Sequence, residues 1–210
     1  MKVLGDIASG NCYKVKLALA QLGIPHAWEH IDILQGDTRA GGFLQLNPNG
    51  KIPVLILDNG ETLSESNAIL NYLAEGTALL PTDRLSHARV LAWQFFEQYS
   101  HEPYIAVARF IQKYLGLPDA RRAEFESKKA GGLKALSVME ARLKDAPFLV
   151  GSSYSIADIT LYAYTHVADE GGFDLSEFPA VTAWLTRVRE QPGHVTMAQF
   201  LARIKPTVGG

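Results

Sequence analysis

Ser9, Asn11 and Cys12 put a hydroxyl, an amide and the chain's one thiol within four residues, in the stretch SGNCYKV. Each could handle a reactive sulfur, the thiol as the sulfur itself and the other two as hydrogen-bonding partners of a thiolate. A single cysteine excludes an intrachain disulfide framework and a cysteine-cluster metal site, and it fits a reducing compartment.

These side chains need a frame. Lys2 to Gly5 is a short apolar run that ends on turn residues and reads as a strand. From Cys12 to Leu22 the apolar residues Val15, Leu17, Ala18, Leu19 and Leu22 recur at helical spacing, with Gly23 as C-cap and Pro25 as a stop. The polar stretch therefore precedes the first turn of a helix, where the positive end of the dipole favours an anion. His26 to Ile33 suggests a second strand, and Gln35 to Leu46 carries turn residues and a short possible helix. Pro48-Asn49-Gly50 is a turn, Val54 to Leu57 a buried strand, and Asp58-Asn59-Gly60 a hairpin leading to a partner strand around Glu61 to Leu63. Ser64 or Ser66 then opens a helix whose apolar face is Ile69, Leu70, Tyr72 and Leu73. The order β-α-β-(α)-β-β-α predicts a helix-flanked mixed sheet.

After Leu80-Pro81 the strand pattern stops. Ser86 to Tyr114 reads as one long helix interrupted near Pro103, Arg121 to Lys144 as a second, and Val181 to Glu190 as a further one. Ser155-Ile156-Ala157-Asp158 has the form of a capping box, with Tyr154 and Ile159 placed as a hydrophobic staple. The expected fold class is α/β plus all-α, with residues 1–76 and 86–210 as the two domains and 77–85 as linker.

With 47% hydrophobic and 20% charged residues the chain can build a core, so global disorder is excluded. A net charge of −2 with no basic run gives no reason to expect nucleic acid or an anionic membrane as partner. The start MKVLGDIASGN lacks an apolar core and cleavage site, so no signal peptide is read. No apolar run approaches the roughly 18 residues of a membrane span. The expectation is a soluble cytoplasmic protein.

Four motifs in order, SGNCYKV, LNPNGKIPVL, LSESNAILNYL and SYSIADITL, resemble the cytosolic glutathione transferase superfamily over essentially the whole chain. The resemblance implies a thioredoxin-like N-terminal domain that binds glutathione and a C-terminal helical bundle that supplies a second-substrate pocket. Glutathione would be a co-substrate, with no metal, a small electrophile as the other reactant, and a homodimer as the assembly. Conjugation of the thiolate to the electrophile, a detoxification chemistry, is the leading activity. Glutathione-dependent disulfide or peroxide reduction is the alternative, and a non-catalytic glutathione-binding member is the third reading.

The resemblance also assigns residues. Ser9 falls where serine-type members carry the catalytic serine, and helix capping is its competing reading. A bacterial and fungal subgroup has a threonine-proline-asparagine-glycine turn followed by lysine and valine, whose hydroxyl and amide face the sulfur. Ser9, Asn11, Lys14 and Val15 match it while Gly10 and Cys12 depart, which leaves open how Ser9 and Asn11 share the role. Cys12 could form a mixed disulfide with glutathione, but in serine-type members a cysteine here packs inward, and inward packing is expected. Pro53 matches the family's cis-proline, which turns the Ile52 main chain toward the cysteinyl backbone of glutathione. Glu65 and Ser66 match the pair that receives the γ-glutamyl ammonium and carboxylate, the latter also meeting helix N–H groups. Lys51 and Arg39 are candidates for the glycyl carboxylate. Tyr104, His101 and Phe110 are candidates for the second-substrate pocket, with core packing as the ordinary role of such residues. Asp158 is assigned to folding as a helix cap.

Overall fold

In the computed structural model, which describes residues 1–203, the first apolar run forms β1 (Lys2–Gly5). The helix predicted after SGN is α1 (Gly10–Gln21), which crosses over to β2 (Ala27–His30), parallel to β1. A three-residue 3-10 turn and α2 (Gly41–Leu46) follow. Next come β3 (Val54–Ile56), antiparallel to β1, and β4 (Thr62–Ser64), antiparallel to β3. The sheet order is β2-β1-β3-β4, the mixed sheet expected.

α1 ends where Gly23 takes φ 64°, a left-handed value that suits glycine. The Ile24 N–H then donates to Leu19 O at 2.9 Å and the Gly23 N–H to Ala20 O at 3.2 Å, the two bonds of a Schellman cap. α1 packs against α3 (Ser66–Ala74) over one face of the sheet, where Val3, Val15, Leu19, Leu55, Ile69 and Leu73 form a buried cluster. Burying side chains of this size contributes about 1.5–3 kcal/mol each. Leu4, Ile31, Phe43 and Val54 form a second buried cluster, with Ile52 packed against it. Gly5 is required at the end of β1, because a Cβ there would stand 2.6 Å from Cys12 Sγ.

The chain divides into two compact units: Met1–Ala74 with the segment beginning at Pro192, and Glu75–Gln191. Within the second unit, α4 (Arg84–Phe96) and α5 (Glu102–Arg109) are joined by the π-helical turn Glu97–His101, and a second π-helical turn covers Phe110–Tyr114. The interruption expected near Pro103 is thus a change of helical pitch. Pro103 sits in the first turn of α5, just after the wider turn, where a missing N–H is tolerated.

The helix expected over Arg121 to Lys144 is a 3-10 turn, Asp119–Arg121, then α6 (Arg122–Ser127) and α7 (Lys129–Asp145), broken at Lys128. α8 (Ile156–Thr165) is buried along its whole length, and α9 (Pro179–Arg189) follows. α10 (Met197–Arg203) belongs to the first unit, where Trp28 and Phe200 meet edge to face at 4.6 Å and the Tyr13 hydroxyl donates to Val195 O at 2.7 Å. The expected helical domain runs to residue 210, and its last residues, 204–210, lie outside the described residues. Among the described residues no helix is long and apolar enough to cross a membrane.

α9 starts with Phe178 at its N-cap, which offers no side-chain acceptor. Glu140 of α7 supplies one, its two oxygens accepting from the Ala180 N–H at 3.2 Å and the Val181 N–H at 3.0 Å. Glu140→Ala is expected to lose about 1–3 kcal/mol, because it strands two N–H groups at a buried helix end. A thermal melt checks this, and Glu140→Gln, which keeps one acceptor, should fall between it and the wild type.

Candidate active site

The turn between β1 and α1 is built by Asp6 and Ser9. The Asp6 side chain accepts from the Ala8 N–H at 2.9 Å and its carbonyl from the Ser9 N–H at 3.1 Å, which turns the chain into α1. Ser9 is the N-cap, its Oγ accepting from the Cys12 N–H at 3.5 Å, long for such a bond. Capping uses the hydroxyl oxygen as acceptor, so the O–H can donate to a sulfur at the same time. The two readings of Ser9 are compatible.

Cys12 is buried against this turn, with the Ser9 side chain and the Asp6 backbone as hydrogen-bonding neighbours of its thiol. It is 0% exposed, packed beneath Gly5, and burial pushes its thiol up to about 12. At neutral pH it is a buried thiol with the inward packing the sequence leads one to expect.

Asn11 has one oxygen and two visitors. Its Oδ1 accepts from Lys14 Nζ at 2.7 Å and from Ser66 Oγ at 3.2 Å, and Lys14 Nζ also reaches Ser66 Oγ at 3.4 Å. An ammonium only donates, so the amide oxygen must face Lys14 and the amide nitrogen lies on the opposite side. Three residues from two helices thus close a triangle, with Lys14 0% and Ser66 5% exposed. Sequence reasoning noted Lys14 only as a motif match. One signal was available: a lysine three residues after Asn11, flanked by Tyr13 and Val15, on a helix face that is otherwise apolar.

Glu65 sits just before Ser66 and its carbonyl accepts from the Ile69 N–H at 2.9 Å, so it opens α3. Its φ is 67°, a left-handed value that costs a non-glycine residue on the order of 1–3 kcal/mol. Backbone strain of this kind concentrates at ligand-binding sites. The side chain is exposed, next to the N–H groups of the first turn of α3.

The Ile52–Pro53 bond is cis. Ile52 is half-buried with its side chain in the second core cluster, and Lys51 is exposed. Asn47, another residue the sequence did not single out, holds this loop. Its amide donates to Lys51 O at 2.7 Å, its Oδ1 accepts from the Asn49 N–H at 3.1 Å, and its carbonyl accepts from the Gly50 N–H at 2.9 Å. Arg39 ends the 3-10 turn Asp37–Arg39 and is exposed.

In the second unit, Tyr104 lies flat on Gly131, where a Cβ would stand 2.2 Å from its ring, and it lines a cavity of about 130 Å³ with Phe96, Ser100 and Lys134. His101 and Phe110 are not among the residues of that wall. His101 is 0% exposed with Nε2 2.9 Å from Thr165 Oγ1, and Phe110 packs on Tyr114 at 5.3 Å.

Comparison with known proteins bears on this geometry. Residues 8–75 match the family model of the glutathione S-transferase N-terminal domain, and residues 92–192 that of the C-terminal domain. A glutathione S-transferase crystal structure from Pseudomonas fluorescens has 62% sequence identity and a TM-score of 0.92, covering 93% of this chain and 98% of that one. The glutathione transferase URE2P6 of Phanerochaete chrysosporium, solved in complex with oxidized glutathione, has 25% identity and a TM-score of 0.86 over 97% of both chains. The disulfide-bond oxidoreductase YfcG of Escherichia coli is 31% identical over 189 residues, 87% of each chain. With both family domains matched in sequence and their sheet and helices in place, this chain belongs to the glutathione S-transferase superfamily.

Proposed function

We propose that the first unit binds glutathione with its sulfur at Ser9 and Asn11 and its γ-glutamyl end at Glu65 and Ser66, and that the thiolate attacks a small electrophile. The observation that carries this reading is the meeting of Asn11 and Ser66 at 3.2 Å, which joins the N-terminal ends of α1 and α3 into one polar surface.

The energetics are adequate. A free thiol has a pKa of about 8.5, so lowering it by about two units requires roughly 2.7 kcal/mol. A hydrogen bond to a charged group contributes about 1.5–3 kcal/mol. The Ser9 O–H and the Asn11 amide N–H together supply that, and the start of α1 adds its dipole. At the other end the glutathione carboxylate meets the first N–H groups of α3, that of Ser66 among them, while the exposed Glu65 carboxylate pairs with the ammonium. Ile52 offers its main chain to the cysteinyl residue, and Lys51 and Arg39 are exposed cations for the glycyl carboxylate.

A second reading is favoured by the oxidoreductase name of one relative and the oxidized glutathione bound by another. In it the bound thiolate attacks a disulfide sulfur, one S–S bond forms as another breaks, and the displaced thiolate takes a proton. A second glutathione thiolate then resolves the mixed disulfide, giving oxidized glutathione. Cys12 has no part in this, being buried and protonated.

Both reactions are measured on one preparation, with a chloronitrobenzene and with a small glutathione-capped disulfide. Turnover of the first at a rate well above solution supports conjugation. Turnover of the disulfide alone transfers the proposal to reduction, and glutathione binding with neither reaction leaves a binding protein.

A further inference from the structure

Lys14 has no place in the chemistry described so far, and its burial demands an explanation. Taking an ammonium out of water costs several kcal/mol even after relaxation, and an apolar side chain of similar length would usually be as stable or more so. The fold nevertheless brings this group to 0% exposure on the inner face of α1. There its Nζ donates to Asn11 Oδ1 and reaches Ser66 Oγ. These are the residues set above at the sulfur and at the γ-glutamyl carboxylate.

We infer that Lys14 is a positioning residue for glutathione chemistry: its buried ammonium fixes the Asn11 amide with nitrogen toward the sulfur and ties it to Ser66. The inference rests on the glutathione site proposed above. Two physical effects follow. An Asn amide can rotate to present either end, and an oxygen facing a thiolate would repel it; hydrogen bonding of Oδ1 to an ammonium removes that orientation. The same bond polarises the amide, so its N–H becomes a stronger donor in a site of low dielectric. Ser66, held by the same group, keeps the carboxylate end in register with the sulfur end, although the two residues are far apart in sequence.

The test compares wild type, Lys14→Met, Asn11→Ala and the double variant. The readouts are ultraviolet titration of enzyme-bound glutathione thiolate, the pH profile of kcat at saturating glutathione, and thermal melting. Lys14→Met should raise the apparent pKa of the bound thiol by about one unit, the low end of what a nearby charge does. It should therefore reduce kcat at saturating glutathione about threefold at pH 7 and roughly eightfold at pH 6, with recovery at alkaline pH. Its melting temperature should equal or exceed that of the wild type. In the Asn11→Ala background the same substitution should change the profile by less than about twofold, the signature of action through Asn11. Lys14→Gln, neutral but still a donor, replaces Lys14→Met if the latter does not fold, and is expected to shift the pKa in the same direction.

A wild type that fails to bind glutathione refutes the site and this inference together. Glutathione binding with an unshifted profile in Lys14→Met refutes the inference alone. So does an equal shift in both backgrounds, which would make Lys14 a distant charge and no positioner.

Discussion

Replacing Ser9 and Asn11 together by alanine is expected to reduce kcat at saturating glutathione by a factor on the order of 10–10² at neutral pH, while KM changes far less. The magnitude follows from losing most of the shift of about two units that these donors give the bound thiol, which returns it to a mostly protonated state at pH 7. Each single variant should lose less than the double. Asn11→Ala should be the more damaging, because the amide is held at 2.7 Å by Lys14 and so loses little order when it donates. Ser9→Ala has a second consequence. Ser9 caps α1, so the variant also loses about 0.5–2 kcal/mol of stability, and melting curves must accompany the kinetics. Activity should return as pH rises, since at high pH glutathione ionises unaided. Cys12→Ala is the control, as its thiol is buried with a pKa of about 12. Loss of turnover in Cys12→Ala with the Ser9 and Asn11 variants intact would move the chemistry onto the protein's own sulfur.

What the sequence revealed of this site was local in character. β1 was legible because four residues of one pattern end on a turn, and α1 because Gly23 and Pro25 punctuate its end. Ser9, Asn11, Glu65 and Ser66 were singled out by the resemblance of their motifs, and the structure places them at the starts of α1 and α3. Lys14 was not. A lysine in the second turn of a helix is normally at the surface, and only the packing of α1 on α3 buries this one against Ser66, 52 residues away. Asn47 escaped for the same reason, since its value lies in three bonds that hold the loop before Pro53. The helical unit gave a complementary lesson. Pro103 was read as a break, whereas the π-helical turn before it lets the helical path continue through Tyr114. The burial of His101, on that same turn, cannot be inferred from spacing alone, because a π turn shifts which face a residue occupies.

Asp158→Ala is expected to produce the largest loss of stability, about 3–5 kcal/mol, or roughly 10 °C in melting temperature for a chain of this size. The carboxylate is 0% exposed and holds three separate pieces of the helical unit together. One oxygen accepts from the Leu149 N–H at 3.0 Å and from Trp184 Nε1 at 2.8 Å. The other accepts from the Ser155 N–H at 3.0 Å and the Ser155 hydroxyl at 3.3 Å. Alanine would leave the Leu149, Ser155 and Trp184 donors buried without an acceptor, each at a cost of about 1–3 kcal/mol that relaxation and water entry partly offset. The hydrogen bonds lower the carboxyl pKa, but burial outweighs them and pushes it up to about 6, against about 3.9 for an unfolded aspartate. Between those two values the folded chain holds a proton that the unfolded chain has released. Asp158 therefore contributes more to stability below that window, and the contribution falls as pH rises through it. The stability gap between wild type and Asp158→Asn, which cannot titrate, should accordingly widen as pH is lowered from 7 to about 5. Denaturant unfolding at several pH values measures it. A gap that narrows on acidification would mean that the four donors, and not burial, govern this carboxylate, and that its charged form is the one the fold selects.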